Sequence, residues 1–262
     1  MRDHGIGLTQ AFRTLTILPA PGKDARKASS QLFFYPFVGL MIGLIGALIL
    51  WICCRFTNIN AVLSIVLGVL WTCWMAFATR GFHLDGLGDP ADGSGGGWTK
   101  EKRLQIMKDS RSGSFGVIAI CLCLVLKSAS ASYVIFTARL PILVWSAVVS
   151  RFCVVCMCSF CSYAKESGLS FDLVSGAGLP HMLCALLQTA LFGLAVYYCS
   201  GLLEGMSVTL AGLLVPAFAG LLSALVLAIV SRRKIGGITG DVLGACCEIS
   251  ETMALLSIVF LN

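Results

Sequence analysis

Apolar residues in this chain come in long blocks, not in the alternation of a half-buried strand or the narrow stripe of a soluble amphipathic helix. Blocks almost free of charge run over 33–54, 57–79, 115–137, 140–163, 181–200, 207–230 and 243–261. Each is close to the roughly 20 residues an α-helix needs to cross a bilayer. The pattern predicts an all-α fold: a polytopic integral membrane protein of about seven transmembrane helices, forming a single domain over 1–262. The fifth block is the weakest, because Gly176, Gly178 and Pro180 interrupt its entrance, and the count stays open by one in either direction. Ahead of the first block, Gly5 to Leu18 reads as a short interfacial helix that Pro19-Ala20-Pro21 ends. The opening 1–31 has no apolar core or small-residue cleavage site of a signal peptide.

Composition narrows the class. Of the residues, 57% are hydrophobic and only 12% charged, with a mean hydropathy of +0.89. Soluble chains carry about 25% charged residues to solvate their surface, so a soluble enzyme, a secreted disulfide scaffold and a disordered tail are all excluded. The 13 cysteines lie in or beside apolar blocks, and Cys153-x-x-Cys156-x-Cys158-x-x-Cys161 falls inside one. Small polarizable packing residues explain them better than a metal knuckle. Reduced thiols in such helices fit a bacterial-type inner membrane.

A net charge of +6 is too small and too scattered for a nucleic-acid surface, and its distribution instead orients the chain. Alternate connections collect Arg2, Arg13, Lys23, Arg26 and Lys27, then Arg80, Lys100, Lys102, Arg103, Lys108 and Arg111, then Lys165, then Arg232, Arg233 and Lys234. The other set holds Arg55 and Arg139. The positive-inside rule therefore predicts a cytoplasmic N-terminus and, with seven spans, a C-terminus outside. The cytoplasmic pieces are then 1–31, 80–114 and 231–242.

Carboxylates are concentrated where chemistry is expected. Eight of the 13 acids fall in two windows: Asp85, Asp89, Asp92, Glu101 and Asp109, then Asp241, Glu248 and Glu251. In RGFHLDGLGDPADGSGGG, spacings of four and three put Asp85, Asp89 and Asp92 on one helical face. Three oxygen donors at a membrane surface suit a hard cation such as Mg²⁺, which shares its shell with substrate phosphates. Pro90 disfavours helix at Asp89, so the helix is expected to restart there with Asp89 as its N-cap. Gly93, Gly95, Gly96 and Gly97 read either as a phosphate-cradling loop or as a flexible linker, and beside three carboxylates the first gains. Thr99 caps a following basic helix over 100–108. Arg111 offers a planar fork to phosphate oxygens, and Asp109 either binds a second cation or orients Arg111. His83 is either a general base or, the better-supported reading, a hydrogen-bonded structural histidine.

The second window reads RRKIGGITGDVLGACCEISE. Gly236, Gly237 and Gly240 precede Asp241 at a helix start, where backbone donors face an anion. Asp241, Gly244, Glu248 and Glu251 share a stripe. Lys127 and Arg151 lie at matching depth in their own blocks. Intramembrane charges are functional candidates, so Glu248 or Glu251 is the expected partner, with the third, fourth and seventh spans around one polar cavity. A purely structural ion network is the competing reading.

LDGLGDPADGSGGG, RLQIMKDSRSGSFG and GGITGDVLGACCEISE, with FRTLTILPAP, FYPFVGLMIG and Ser150-Arg151, resemble the cobalamin synthase family, the adenosylcobinamide-GDP ribazoletransferases. The resemblance covers nearly the whole chain, in family order, though Pro90 departs from the family's pattern. It implies a Mg²⁺-dependent transferase that joins adenosylcobinamide-GDP to α-ribazole or its 5′-phosphate and releases GMP. Asp85, Asp89 and Asp92 would hold the metal; Asp109, Arg111 and Asp241 would complete the catalytic set. His83, Gly95, Gly96, Gly97, Lys127, Arg151, Gly237, Glu248 and Glu251 would line the substrate site. The partners are these small molecules and membrane lipid, with homo-oligomerisation left open. Another Asp-box membrane transferase, of prenyl or CDP-alcohol phosphotransferase type, is the rival enzyme reading, although Ser94-Gly95 does not match the latter's Ala-Arg pair. A cation transporter is disfavoured, because transporter sites lie near the midplane.

Overall fold

The computed structural model describes residues 2–22, 25, 27–168, 170–202 and 208–261. Lys23 and Arg26 of the charge pattern, and the expected start of the sixth span at 207, lie outside them. The elements are α1 (Arg2–Leu15), α2 (Tyr35–Arg55) after a 3₁₀ turn over Ala28–Phe34, α3 (Ala61–Ala78), α4 (Phe82–Gly96), α5 (Lys100–Ile106), α6 (Ser114–Phe136), α7 (Pro141–Phe160), α8 (Phe171–Ser175), α9 (Leu179–Leu202), α10 (Leu210–Ile235) and α11 (Gly240–Val259). Seven of these, α2, α3, α6, α7, α9, α10 and α11, are long and apolar enough to cross a membrane, which matches the seven blocks. The weak fifth block forms a full helix, α9; Gly176 and Gly178 fall in the turn before it, and Pro180 in its first turn, where no amide hydrogen is needed.

The bundle is built around α7 and α11. In α7, 89% of the most apolar window is buried and in α11 72%, against 22–39% in the other five spans. Helices α2, α9, α10 and α11 pack on α7, while α4, α6 and α10 pack on α11, and α3 lies outside against α6. The outer helices present Leu48, Val62, Leu122, Leu187, Leu214 and Phe218 outward, as a surface in lipid does. Small residues let backbones approach in membranes, where apolar burial supplies little drive. A Cβ on Gly43 would stand 3.1 Å from Val144 Cα, so α2 seats closely on α7.

Four charges sit in this interior. Lys127 Nζ lies 2.6 Å from Glu248 Oε2 and 3.3 Å from Glu251 Oε1, and Arg151 Nη1 lies 2.9 Å from Glu251 Oε2. They tie α6, α7 and α11 at one depth, two cations against two carboxylates.

Hydrogen bonds between connections gather one end of the bundle. Ile17 N donates to Ala78 O, Arg103 Nη1 to Lys234 O, Ala164 N to Ile238 O and Ile238 N to Ser162 O. That end carries the basic connections, while Arg55 and Arg139 are at the other. Helix α4, at 15 residues, spans about 22 Å, too short to cross. It lies across α11 and α6 instead. The crossing is close: a Cβ on Gly86 would meet Asp241 O at 3.0 Å and Gly244 Cα at 3.1 Å.

Two outcomes test these contacts. Lys127→Met leaves Glu248 without its cation and is expected to cost about 3–5 kcal/mol, read as a lower denaturation midpoint in detergent. Lys127→Met with Glu248→Leu should recover most of it; an additive loss would show that the pair is not the cause. Gly86→Leu should cost about 1–3 kcal/mol through overpacking. Gly201→Leu, where nothing lies within 4 Å, should cost almost nothing in the same measurement.

Candidate active site

The chain enters α4 through two consecutive left-handed residues, Arg80 (φ 56°) and Gly81 (φ 66°), which turn it back from α3. The helix then runs unbroken through Pro90. Asp89 is therefore an interior helical residue and not the N-cap of a restarted helix. Packing of Gly86 on α11 and of Gly88 toward Ile120 of α6 holds the segment helical despite the bond that proline removes.

This crossing brings the two acidic motifs together. Asp85 and Asp89 come from α4, and Asp241 from the first turn of α11, whose N-cap Thr239 accepts a hydrogen bond from Val242 N. The Asp89 carboxyl is raised to about 6, first by partial burial, then by the charges of Asp241, Asp85 and Asp92; Lys165 opposes this. Carboxylates held this close favour either a shared proton or a cation.

Asp92 departs from the expected metal set. It is buried, and Oδ2 accepts from Gly113 N at 2.7 Å while Oδ1 accepts from Gly116 N at 2.8 Å. The carboxylate caps the start of α6, where free amides and the helix dipole favour an anion. Among the described residues, no three His, Cys, Asp or Glu side chains form a ready metal cluster. The three-carboxylate face of α4 is thus divided, with Asp85 and Asp89 turned to the α11 motif and Asp92 to α6.

The glycines also have a different task from the expected one. Gly93, Gly95 and Gly96 are helical and Gly97 is the C-cap, so no phosphate-cradling loop forms. A Cβ on Gly95 would collide with the Phe115 ring, one on Gly97 with Arg103, and one on Gly96 would meet Ile106 at 3.2 Å. They let α4 lie against α5 and α6. Gly237 likewise passes against Ser162 O and Ala164, where a parallel bridge joins Tyr163 to Ile238. Gly236, at φ +83°, ends α10 in the left-handed conformation that favours glycine.

Arg111 and Asp109 form an exposed fork: Nε donates to Oδ1 at 3.1 Å and Nη2 to Oδ2 at 2.8 Å. This hydrogen bonding holds the Asp109 carboxyl down at about 2. Of the two roles open to Asp109, orienting Arg111 is the one the geometry displays. Lys127, Arg151, Glu248 and Glu251 come together as expected, but as a buried ion network, and none of the four lines the cavity at the motif end.

A cavity of about 930 Å³ opens beside them. Its lining includes Asp85, His83 and Gly240 from the two motifs, Gln31 and Ser170, and Arg13 and Arg80 on the side of α1. His83 is 3% exposed, and its imidazole is pushed down to about 3, chiefly by burial and next by the charge of Arg151. It is a neutral ring, and its Nδ1 has no hydrogen-bond partner among the described residues. Such a ring positions a ligand better than it takes a proton.

Sequence reasoning passed over several residues here. Lys165 acts on Asp89, and the phenol of Tyr163 is raised by partial burial and then by Asp241. Both belong to the connection after α7, which looks like an ordinary polar loop. Its pairing with Ile238 is a long-range event that no local spacing announces. Arg13 and Arg80 were visible only as members of the basic pattern.

A family model described as cobalamin-5-phosphate synthase matches residues 7–259. An adenosylcobinamide-GDP ribazoletransferase of Chlorobium phaeobacteroides is 38% identical over 261 residues, 97% of this chain and 98% of the relative. Proteins of the same name from Prosthecochloris aestuarii, covering 97% and 98%, and Syntrophobacter fumaroxidans, covering 95% and 95%, are also 38% identical. No solved structure matches the chain. With almost every residue of the chain inside the match, and both acidic motifs among them, the protein belongs to the cobalamin-5-phosphate synthase family.

Proposed function

We propose that the protein is a Mg²⁺-dependent adenosylcobinamide-GDP ribazoletransferase of the inner, cytoplasmic membrane, working on the cytoplasmic side. The observation that carries this reading is the meeting of Asp85, Asp89 and Asp241, from motifs about 150 residues apart, at one end of the bundle beside a large cavity. The names of the relatives supply the substrates.

The reaction joins a ribose hydroxyl oxygen of α-ribazole, or of its 5′-phosphate, to the phosphorus that carries the cobinamide aminopropanol. The pyrophosphate bond breaks, GMP leaves with that electron pair, and the hydroxyl proton is released. Such displacements depend on positioning and charge neutralisation more than on covalent catalysis. The donor chemistry fits Mg²⁺, since mutually repelling carboxylates offer the oxygen ligands it takes from protein while substrate phosphates fill the rest of its shell. Asp85, Asp89 and Asp241 would hold it, and it would neutralise the pyrophosphate. Asp92 supports the site from behind by fixing the start of α6. His83 offers Nδ1 to a ligand in the cavity. Asp109, held at about 2, is a poor proton acceptor and keeps Arg111 aimed.

Asp89→Asn should insert normally yet lose most Mg²⁺-dependent GMP release from adenosylcobinamide-GDP plus α-ribazole. Asp92→Asn should instead lower thermal stability by about 1–3 kcal/mol, because a carboxylate oxygen that accepts a buried amide is replaced by an amide donor. Equal Mg²⁺ dependence in Asp89→Asn and the unaltered protein would remove Asp89 from the metal site. The orientation is tested separately. A reporter fused after Asn262 should behave as periplasmic, and a cytoplasmic signal would invert the positive-inside reading.

A further inference from the structure

Positive charge gathers where α5 meets the end of α10. Helix α10 closes on Arg232, Arg233 and Lys234, and α5 brings Lys100 and Arg103 against this end. Arg103 Nη1 donates to Lys234 O at 3.1 Å, and the Lys100 ammonium lies beside Gly236, the C-cap of α10. Among the described residues no carboxylate stands within salt-bridge distance of any of the five. Glu101, on the same short helix, is hydrogen-bonded with Thr99 at its start.

The helix end accounts for only part of this charge. Its carbonyls present the equivalent of about half a negative charge, which leaves most of the five cations repelling one another. Arg103 has five N–H groups; one goes to Lys234 O, and its buried Nε has no hydrogen-bond partner among the described residues. The cleft at this junction shows which anion fits. Arg103, Lys234, Ser94 and Ser231 share its walls with Leu227 and Val230. At about 30 Å³ it is too narrow to enclose a nucleotide, and none of its residues lines the large cavity beside Asp85. Val230 is 39% exposed, and Val226, one turn away, and Ile229 are 53% and 44% exposed on the same span. Trp98, just ahead of α5, is 92% exposed, as suits an indole at the level of lipid headgroups.

A free phosphate would meet only the cations of this cleft. A phosphate that carries acyl chains meets the cations and the apolar face together, at the depth where a span leaves the bilayer. Basic clefts between spans take anionic headgroups in this way. We infer that Arg103 and Lys234, with Lys100 beside them, hold the headgroup phosphate of an anionic phospholipid such as phosphatidylglycerol, whose chains run along Leu227 and Val230. The lipid belongs to the leaflet at the basic end of the bundle. By joining α5 to α10 it would also steady α4, which packs on α5. This lipid contact is independent of the transferase reading and would survive its failure.

The experiment uses the purified full-length protein in a neutral detergent, with phosphatidylglycerol or phosphatidylcholine added in equal amounts. The denaturation midpoint and the lipid retained in native mass spectrometry are measured. Phosphatidylglycerol should be retained and should raise the midpoint, and phosphatidylcholine should do neither. Arg103→Gln with Lys234→Gln keeps amide donors in the cleft but removes two charges. It should weaken phosphatidylglycerol binding about fivefold for each cation removed, the scale of one basic residue at a charged membrane surface. Lys234→Gln alone should give one such step, which decides the matter if the double variant does not fold. Arg103→Lys with Lys234→Arg keeps both charges and should keep most of the binding. Arg55→Gln, at the opposite end of the bundle, should leave it unchanged. Equal retention of the two lipids overturns the site, as does undiminished binding in the double variant. An equal loss in Arg55→Gln would reduce the effect to net charge and overturns it too. Inorganic phosphate that displaces the lipid at the same concentration, or matches its stabilisation, would make the cleft a free-anion site and overturn the lipid.

Discussion

A carboxylate placed in hydrocarbon must be neutralised, and in this molecule that requirement fixes the core. Glu248 and Glu251 sit one turn apart on α11, and they can remain charged only where Lys127 of α6 and Arg151 of α7 reach them. Each cation approaches from a different helix, so the network sets the depth and rotation of three spans at once. Dispersion between apolar side chains could not do this, because lipid tails compete for the same contacts. The arrangement is stabilising in context chiefly because losing any single member strands another in a medium that solvates ions poorly. Register along α11 also decides where its first turn ends up, and the first turn carries Asp241.

From that anchored α11 the site follows by close packing. Gly244 lies one turn from Gly240, the first residue of α11, on the side where α4 passes. With Gly86 opposite, the two backbones approach to a distance no side chain would allow. A helix carrying Asp85 and Asp89 is thereby pressed against one starting at Asp241. Such crowding raises the free energy of the ionised carboxylates, a repulsion that the proposed Mg²⁺ would relieve. The glycines of the acidic segment thus serve helix packing.

Much of the fold could be read from the chain because its signals are local. Seven apolar blocks gave seven helices with ends within a few residues, and the capping of α5 by Thr99 followed from its residue type. The pairing of Lys127 and Arg151 with Glu248 and Glu251 followed from depth alone. What escaped was tertiary. Pro90 argued for a break at Asp89, and packing on both faces of α4 overrode it. The run Gly93 to Gly97 has the composition of a loop, and only the neighbouring Phe115, Arg103 and Met107 explain it as a helix. Lys165 and Tyr163 reach the site through a two-residue backbone pairing with Ile238, which leaves no periodic trace.

Asp92 shows why spacing could not complete the site. Positions i, i+4 and i+7 place three carboxylates on the same side of a helix, but that side is broad enough to touch two different neighbours. A cation and a helix N-terminus make the same demand on a side chain, a negative charge with free lone pairs, so residue type cannot separate a ligand from a cap. The distinction lies in what stands opposite. Asp85 and Asp89 face a motif that brings another carboxylate, whereas Asp92 meets the amides of Gly113 and Gly116. Those amides belong to the span that also bears Lys127. The cap therefore connects the acidic helix to the ion network through α6 as well as through α11, and the two carboxylates left at the site are held by a support that reaches them from both sides.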